Sequence, residues 1–393
     1  MSDKADISRF LSKRAIAFDE SETLRMARKV RELKQSGRKI YNLTLGEPSE
    51  GPPEHLLPLF EKVLSESTIH HYPPVDGYEE LRECICEKLK RENSLDYTPD
   101  EIIVTNGAKQ SIANIIMAFV NEGDIVLLIS PYWVTYYELL RMVNARPLVV
   151  KEEDLKPQVL SKIDFSTVKM IIINSPCNPS GKVFSQRELE LFVDIMRKNE
   201  HLLLISDEIY EYFIYEGEHI SIATYKEIKE RIFVVNGISK SFGMTGWRLG
   251  YTACASIFKD ALRSIQGQFT SGVCAFTQKI ASIAISHGKK AIENRLQSYE
   301  RKRNMVLDIL SDIPGIKIFP PDGAFYLFVD ISSLLKKRNL SEHQFIDMAL
   351  ERGVGIVGGS SFGAPSCIRI SFSPSYKEVK NGVTLLAQLL KEL

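Results

Sequence analysis

The sequence predicts an α/β protein: a large domain whose mostly parallel sheet is covered by helices on both faces, plus a smaller α/β domain from the N-terminal segment and the C-terminal part. Three observations predict it. From about residue 100, short runs of aliphatic and β-branched residues alternate with longer stretches of helical spacing. Those runs are continuously apolar rather than alternating, which is the pattern of strands buried on both faces. After about residue 290 the pattern changes to a long charged amphipathic helix followed by alternating strands.

In chain order, residues 22–36 form an amphipathic helix, and the Gly/Pro-rich "LGEPSEGPPE" separates it from the sheet region. The strands are expected at 101–106, 125–130, 146–151, 169–174, 202–206, 231–236 and 248–253. Between them, "GAKQSIANIIMAFVNEG" and "SQRELELFVDIMRKNE" have helical spacing, the second opening on Ser185 as N-cap with Glu188 three residues on. Beyond 290, "PGIKIFPPDGAFYLFVDI" and "CIRISFS" read as partly exposed strands. The expected division is 1–49 as a segment packing with the small domain, 50–300 as the large domain and 301–393 as the small one.

The 393 residues are 44% hydrophobic, enough for a sizeable core. Lysine plus arginine equals aspartate plus glutamate at 50 each, with no basic run dense enough to follow a phosphate backbone, so nucleic acid is not an expected partner. No apolar leader or membrane-length apolar run is visible, and no membrane partner is expected. The six cysteines are too sparse for a disulfide scaffold and fit reduced thiols in the cytoplasm. Cys84 and Cys86 have no further Cys or His nearby in sequence, so no metal is assigned.

In open parallel sheets ligands sit at the carboxyl ends of the strands. Gly107-Ala108-Lys109 follows the first strand and opens a helix, whose free N–H groups suit a phosphate. Tyr132 and Trp133 follow the second, and either can stack on a flat ring. Asn178 follows the fourth as a hydrogen-bond donor. Asp207 ends the fifth, where a buried carboxylate needs a cationic partner such as a protonated ring nitrogen. Ser239 and Lys240 follow the sixth. A lysine in a desolvated pocket near another cation becomes a nucleophile able to form a Schiff base, and Arg248 supplies that charge and a clamp for phosphate. In "CIRISFS" alternation puts Arg369 opposite Ile368 and Ile370, with a carboxylate as its natural partner.

The ordered motifs "NLTLGEPSEGPP", "HYPPVDGYEELRE", "VTNGAKQ", "SPYWVTY", "NSPCNPSG", "SDEIYEYFIYEGE", "SKSFGMTGWRLGY", "GAFYLFVD" and "CIRISFS" span nearly the whole chain. Together they resemble the class I/II aminotransferases, pyridoxal-phosphate enzymes of fold type I, in their aspartate aminotransferase-like branch. The resemblance implies pyridoxal 5′-phosphate as cofactor, carried covalently by Lys240. It implies that Asp207 pairs with the pyridine nitrogen, that Asn178 and Tyr210 hold the phenolic oxygen, and that Trp133 stacks on the ring. Arg248 and the backbone at Gly107, Ala108 and Lys109 would bind phosphate, with Tyr72 supplied by the second subunit of a homodimer. Gly237 stands where many members have a phosphate-binding serine, and Ser239 is the neighbour expected to compensate. Arg369 would clamp the substrate α-carboxylate, helped by the Gly46 backbone, with Trp133 and Asn178 bordering the substrate. Lys109, with Ser21 and Thr23, would recognise a distal carboxylate. Asp19 and Glu20 depart from the Lys-Pro of many relatives and would repel a dicarboxylate if they face the pocket.

The implied activity is ping-pong amino-group transfer between L-aspartate and 2-oxoglutarate, with amino acids and 2-oxo acids as small-molecule partners. Three alternatives remain open: an aminotransferase for aromatic or neutral amino acids or prephenate, a C–S β-lyase, and a cofactor-binding regulator without turnover. For the last, the motifs leave no segment for a DNA-binding module.

Overall fold

The computed structural model describes residues 10–12, 15–16 and 22–393. A two-residue strand, β1 (Tyr41–Asn42), precedes the main sheet. The seven expected runs become β2 (Ile102–Thr105), β3 (Ile125–Ser130), β4 (Arg146–Lys151), β5 (Val168–Asn174), β6 (Leu203–Asp207), β7 (Ile232–Gly237) and β8 (Gly250–Ala253). They form one seven-stranded sheet in the order β2-β8-β7-β6-β5-β3-β4.

The pairs of β3 with β4 and β5, β5 with β6, and β6 with β7 are parallel. β8 runs antiparallel to both β2 and β7. The connection from β7 to β8, residues 238–249, holds only the one-turn helix Thr245–Trp247 and turns back at the same end of the sheet, so β8 must run the other way. β8 also starts two residues later than expected, because Arg248 adopts φ +54° and breaks the extended backbone.

Both faces of the sheet are covered. Leu127, Ile171, Leu204 and Val234 pack into the core on one side, and Val126, Leu128, Met170, Ile172 and Ile205 into the core on the other. That is why the runs are apolar without alternation. The helix Gln186–Lys198 has the expected N-terminus: Ser185 N–H donates to Glu188 Oε2 at 3.0 Å and Glu188 N–H to Ser185 Oγ at 3.4 Å, a reciprocal cap of the kind that contributes about 1 kcal/mol.

The C-terminal strands are β9 (Lys317–Phe319), β10 (Tyr326–Asp330), β11 (Val354–Gly355), β12 (Val357–Gly358) and β13 (Cys367–Ser371). Four of them form an antiparallel sheet, β12-β13-β10-β9, and β1 pairs in parallel with β11. The expected partial exposure holds for β9, whose Lys317 is exposed and Ile318 and Phe319 half-buried, and is corrected for the other two: every residue of β13 and Tyr326–Val329 of β10 are buried. The helices Glu293–Leu310 and Tyr376–Glu392 contribute to the core around these strands, together with Ile209, Tyr210 and Phe213 from the loop after β6. The sheet is therefore covered from both the helices and the larger sheet's rim. The helix Glu293–Leu310 also runs straight through the border expected at 300/301.

The helix Glu22–Gln35 buries Met26 and Val30 against Ile346 and Leu350, and Lys29 pairs with Asp347 at 2.9 Å, so this N-terminal element packs on the C-terminal part of the chain. Among the described residues no helix is long and apolar enough to cross a membrane.

Candidate active site

The C-terminal rim of the large sheet and the buried face of the small one enclose a cavity of about 220 Å³. Most of the expected site residues line it: Ala108 and Lys109 after β2, Trp133 after β3, Asn178 after β5, Asp207 and Tyr210 at and after β6, and Ser239, Lys240 and Arg248 between β7 and β8. Gly46, Thr23 and Arg369 approach from the other side of the chain's organisation. Ser21, Asp19 and Glu20 lie outside the described residues. Tyr72 is 97% exposed and is not among the residues lining this cavity.

Lys240 Nζ donates to the carbonyl of Gly46 at 2.6 Å. Burial, opposed by Glu47 and reinforced by Arg248, pushes its amine down to about 8. Near neutral pH a much larger fraction is therefore neutral than for an ordinary lysine, and the neutral amine is the nucleophile. Of the two Gly46 backbone groups only the N–H can donate to an anion, since the carbonyl is an acceptor.

Asp207 is 2% exposed. Two protein donors hold it. Its Oδ2 accepts the Tyr136 hydroxyl at 2.6 Å and its Oδ1 the Ile209 N–H at 3.2 Å. Burial raises its carboxyl to about 6, with Tyr136, the Ile209 N–H and Lys240 opposing the rise.

Gly107 caps the helix Ala108–Phe119 with φ +81°, a left-handed value suited to glycine, and a Cβ there would lie 2.7 Å from Arg248 Nη2. Arg248 is held by Thr245 O at 2.9 Å and Asn106 O at 3.4 Å, which brings its guanidinium to the helix opening. The first N–H groups of a helix have no partner within it, so Ala108 and Lys109 at the cavity form an anion cradle with Arg248. The Lys109 ammonium stands 5.1 Å from the Trp133 ring centroid. Burial and then Arg248 lower its pKa from the ordinary lysine value.

Of the two aromatics after β3, Trp133 lines the cavity, whereas Tyr132 is 8% exposed and stacks on Tyr137 at 6.0 Å in the core. Arg369 is 1% exposed. It donates through Nη1 to Asn178 Oδ1 at 3.0 Å and through Nη2 to Thr44 O at 2.7 Å, while its buried Nε has no hydrogen-bond partner among the described residues. Its guanidinium lies 4.6 Å from the Tyr326 ring centroid. Asn178 spends its carbonyl on Arg369, so what it offers the cavity is its amide NH₂. The Tyr210 and Tyr326 hydroxyls meet at 2.8 Å, and burial, then Tyr326, raise the Tyr210 phenol above its ordinary value.

Sequence reasoning missed Asn174, Tyr136, Ile209 and Tyr326, all of which line the cavity. For Tyr136 a signal exists: it follows Trp133 by three residues, one helical turn on. Tyr326 sits inside the quoted motif "GAFYLFVD" without a role having been read from it.

Elsewhere, Glu208, Glu211 and His219 bring carboxylate and imidazole atoms within 4.8 Å of one another. Ser206 and Ser221 donate to Glu208, and Lys88 and Asn93 to Glu211, so protein donors already serve both carboxylates.

A lysine with a depressed pKa, a buried carboxylate, an anion cradle and a buried arginine sharing one cavity define an α/β enzyme that handles amines and anionic substrates. The chain belongs to the family described as aminotransferase class I and II, which it matches over residues 38–386. It is 37% identical to a probable aspartate/prephenate aminotransferase of Aquifex aeolicus, across 98% of this chain and 99% of that protein. It is 36% identical to a bifunctional aspartate aminotransferase and glutamate/aspartate-prephenate aminotransferase of Petunia hybrida, across 99% of this chain and 84% of that one. Its fold matches the Thermus thermophilus aspartate aminotransferase with maleate at a TM-score of 0.89 and 33% identity, covering 96% of this chain and 99% of that chain.

Proposed function

We propose that this aminotransferase uses pyridoxal 5′-phosphate to move an amino group between L-aspartate and 2-oxoglutarate. The observation that carries the cofactor is the pairing of a buried carboxylate, Asp207, with a lysine whose amine is lowered to about 8, beside a helix N-terminus backed by Arg248. The donor set fits the group: Arg248 with the Ala108 and Lys109 N–H groups for phosphate, Asp207 for the ring nitrogen, Asn178 and Tyr210 for the phenolic oxygen, Trp133 for the ring face and Lys240 for the aldehyde. Ser239, 6% exposed, is a further phosphate donor in this reading.

When bound, the cofactor supplies an electron sink for the pair left at the substrate Cα. The chain's residues do the rest. Arg369 orients the amino acid by its α-carboxylate, and its unpartnered buried Nε supports that role, since such a donor is costly without an acceptor. Lys240 Nζ takes the Cα proton as base and returns it as acid. Asp207, ionised, accepts the ring N–H. One carrier serving two substrates in turn makes the kinetics ping-pong.

Lys109 recognises the distal carboxylate, with Thr23 and Ser21. A cation in the first turn of a helix is disfavoured by the helix dipole unless an anion is close, which supports a second negative group there. The names of the Aquifex and Petunia proteins join prephenate to aspartate, so prephenate, another dicarboxylate with a 2-oxo acid group, is the second reading for the acceptor.

The working form in this reading is a homodimer in the cytoplasm, each subunit divided at about residues 49 and 300, with Tyr72 reaching the partner's phosphate site. A tyrosine 97% exposed supports the first point and six free thiols the second.

The test is the visible absorbance of cofactor-loaded protein as single amino acids are added without a keto acid. L-aspartate and L-glutamate should bleach the band and neutral amino acids should do so poorly. Bleaching by aromatic amino acids alone would overturn the substrate reading, and release of pyruvate and ammonia would point to a β-lyase.

A further inference from the structure

Asp207 ends β6 almost wholly out of water, yet both of its oxygens are held by neutral donors, the Tyr136 hydroxyl at 2.6 Å and the Ile209 N–H at 3.2 Å. A guanidinium or ammonium in the same place would cancel the carboxylate's charge and compete with a ring N–H. A phenol steadies the anion and leaves its charge for the ring.

Tyr136 is itself 2% exposed, and its ring stands edge-on to Trp133 at 5.4 Å and 90°. Trp133 is the N-cap of the helix Val134–Met142 and Tyr136 its third residue, so one short element fixes both the aromatic platform and the carboxylate. The hydrogen bond crosses 71 residues of sequence and ties that helix to the end of β6.

Resting on the reading that Asp207 meets a pyridine nitrogen, we propose that Tyr136 is a positioning residue for the aminotransferase reaction: its O–H pins the Asp207 carboxylate for the ring nitrogen while its ring edge sets the plane of Trp133. Tyr136 touches neither substrate nor cofactor in this role. It acts through Asp207 and Trp133.

The charged and titratable groups around Asp207 are Tyr136, Lys240 and the adjacent Glu208, with Tyr210 and Cys177 close to the Tyr136 phenol. Lys240 favours the anion and Glu208 opposes it. Removing the Tyr136 hydroxyl takes away the first of the groups that oppose burial, so Asp207 would ionise only at higher pH than about 6. Cofactor binding that needs the anion must then lose its acid limb at higher pH.

The experiment uses the full chain freed of cofactor and titrated, by intrinsic tryptophan fluorescence, with two rings: pyridoxal 5′-phosphate and the analogue with carbon in place of the ring nitrogen. The parent protein should bind the nitrogen ring more tightly. Tyr136→Phe should lose about tenfold in affinity for that ring, the scale of one hydrogen bond to a charged group, and little for the carbon analogue. The acid limb of its affinity for the nitrogen ring should also move up in pH.

Equal losses for both rings would overturn the proposal, because a merely structural tyrosine cannot sense the atom at that position. If the parent protein does not tell the two rings apart, the assignment of Asp207 falls, and this proposal with it. Should Tyr136→Phe not fold, Tyr136→His keeps a ring edge and an N–H to donate. It should recover discrimination between the rings, and a folded Tyr136→His protein that binds both alike would equally overturn the proposal.

Discussion

Arg369 Nη1 donates to Asn178 Oδ1 at 3.0 Å, joining β13 of the small sheet to the loop after β5 of the large one. Thr44 O takes a second guanidinium N–H at 2.7 Å, so the side chain is held in a fixed pose before any substrate enters. A lysine cannot reproduce that fork. Arg369→Lys is expected to lower kcat/KM by about tenfold to a hundredfold, the range for hydrogen bonds between charged groups. The loss should be similar for every amino acid tested, because the α-carboxylate is common to all. Steady-state assays with L-aspartate and with a neutral amino acid check this, and a loss confined to aspartate would reassign Arg369 to the distal carboxylate.

Lys109 should behave in the opposite way. Its ammonium stands 5.1 Å from the Trp133 ring centroid, at a helix N-terminus that already attracts anions. Lys109→Met keeps much of the apolar stem and removes the charge. Its kcat/KM for L-aspartate and L-glutamate is expected to fall by about tenfold or more, while that for neutral amino acids stays close to the parent value. Equal losses across acidic and neutral substrates would show that the ammonium serves the phosphate instead.

The folding pattern was legible where local chemistry decides it. Runs buried on both faces, such as Met170–Ile173 of β5, carry their own signature, and so does the reciprocal cap of Ser185 and Glu188. Many of the residues lining the cavity were legible because they follow strands whose ends converge, whereas Tyr210, Gly46 and Thr23 were named only through the family resemblance. What could not be read is what tertiary contact adds. Alternation correctly set Arg369 opposite Ile368 and Ile370, but its burial comes from groups such as Asn178 and Phe362, which are distant in sequence or beyond the strand. The neutral Tyr136 partner of Asp207 depends on a helix crossing over the end of another strand, which no periodicity reports.

Lys240 makes the proposed cofactor site sensitive to pH through the amine itself. Its pKa is lowered by burial to about 8, and only the neutral amine attacks an aldehyde. The rate at which cofactor-free protein captures pyridoxal 5′-phosphate should therefore rise as pH increases toward about 8 and level off above it. An ordinary lysine would keep rising to beyond pH 10. Stopped-flow absorbance across this range separates the two, and a rate still climbing above pH 9 would show that the pocket does not hold the amine as described.

A second pH effect belongs to stability. His219 Nε2 and Glu208 Oε2 lie 3.1 Å apart, with side chains 8% and 1% exposed. Burial alone would push His219 down and Glu208 up, but their mutual attraction, joined at Glu208 by hydrogen bonds from Ser221 and Ser206, outweighs it, so His219 is raised and Glu208 lowered. The raised imidazole contributes stability that is complete below its ordinary value of 6.5 and is lost as pH rises through its folded value. The lowered carboxyl contributes stability that is complete above its ordinary value of 4.5 and is lost as pH falls through its folded value. Both contributions are in full force between those two ordinary values. His219→Gln should therefore destabilise the protein most near pH 5.5, within that window, by about 1–3 kcal/mol, since Ser206 and Ser221 still serve the remaining carboxylate. The difference from the parent should shrink toward pH 9. Urea midpoints at several pH values measure it, and a destabilisation that stays constant from pH 5.5 to 9 would mean that the two side chains share a neutral hydrogen bond rather than a charge pair.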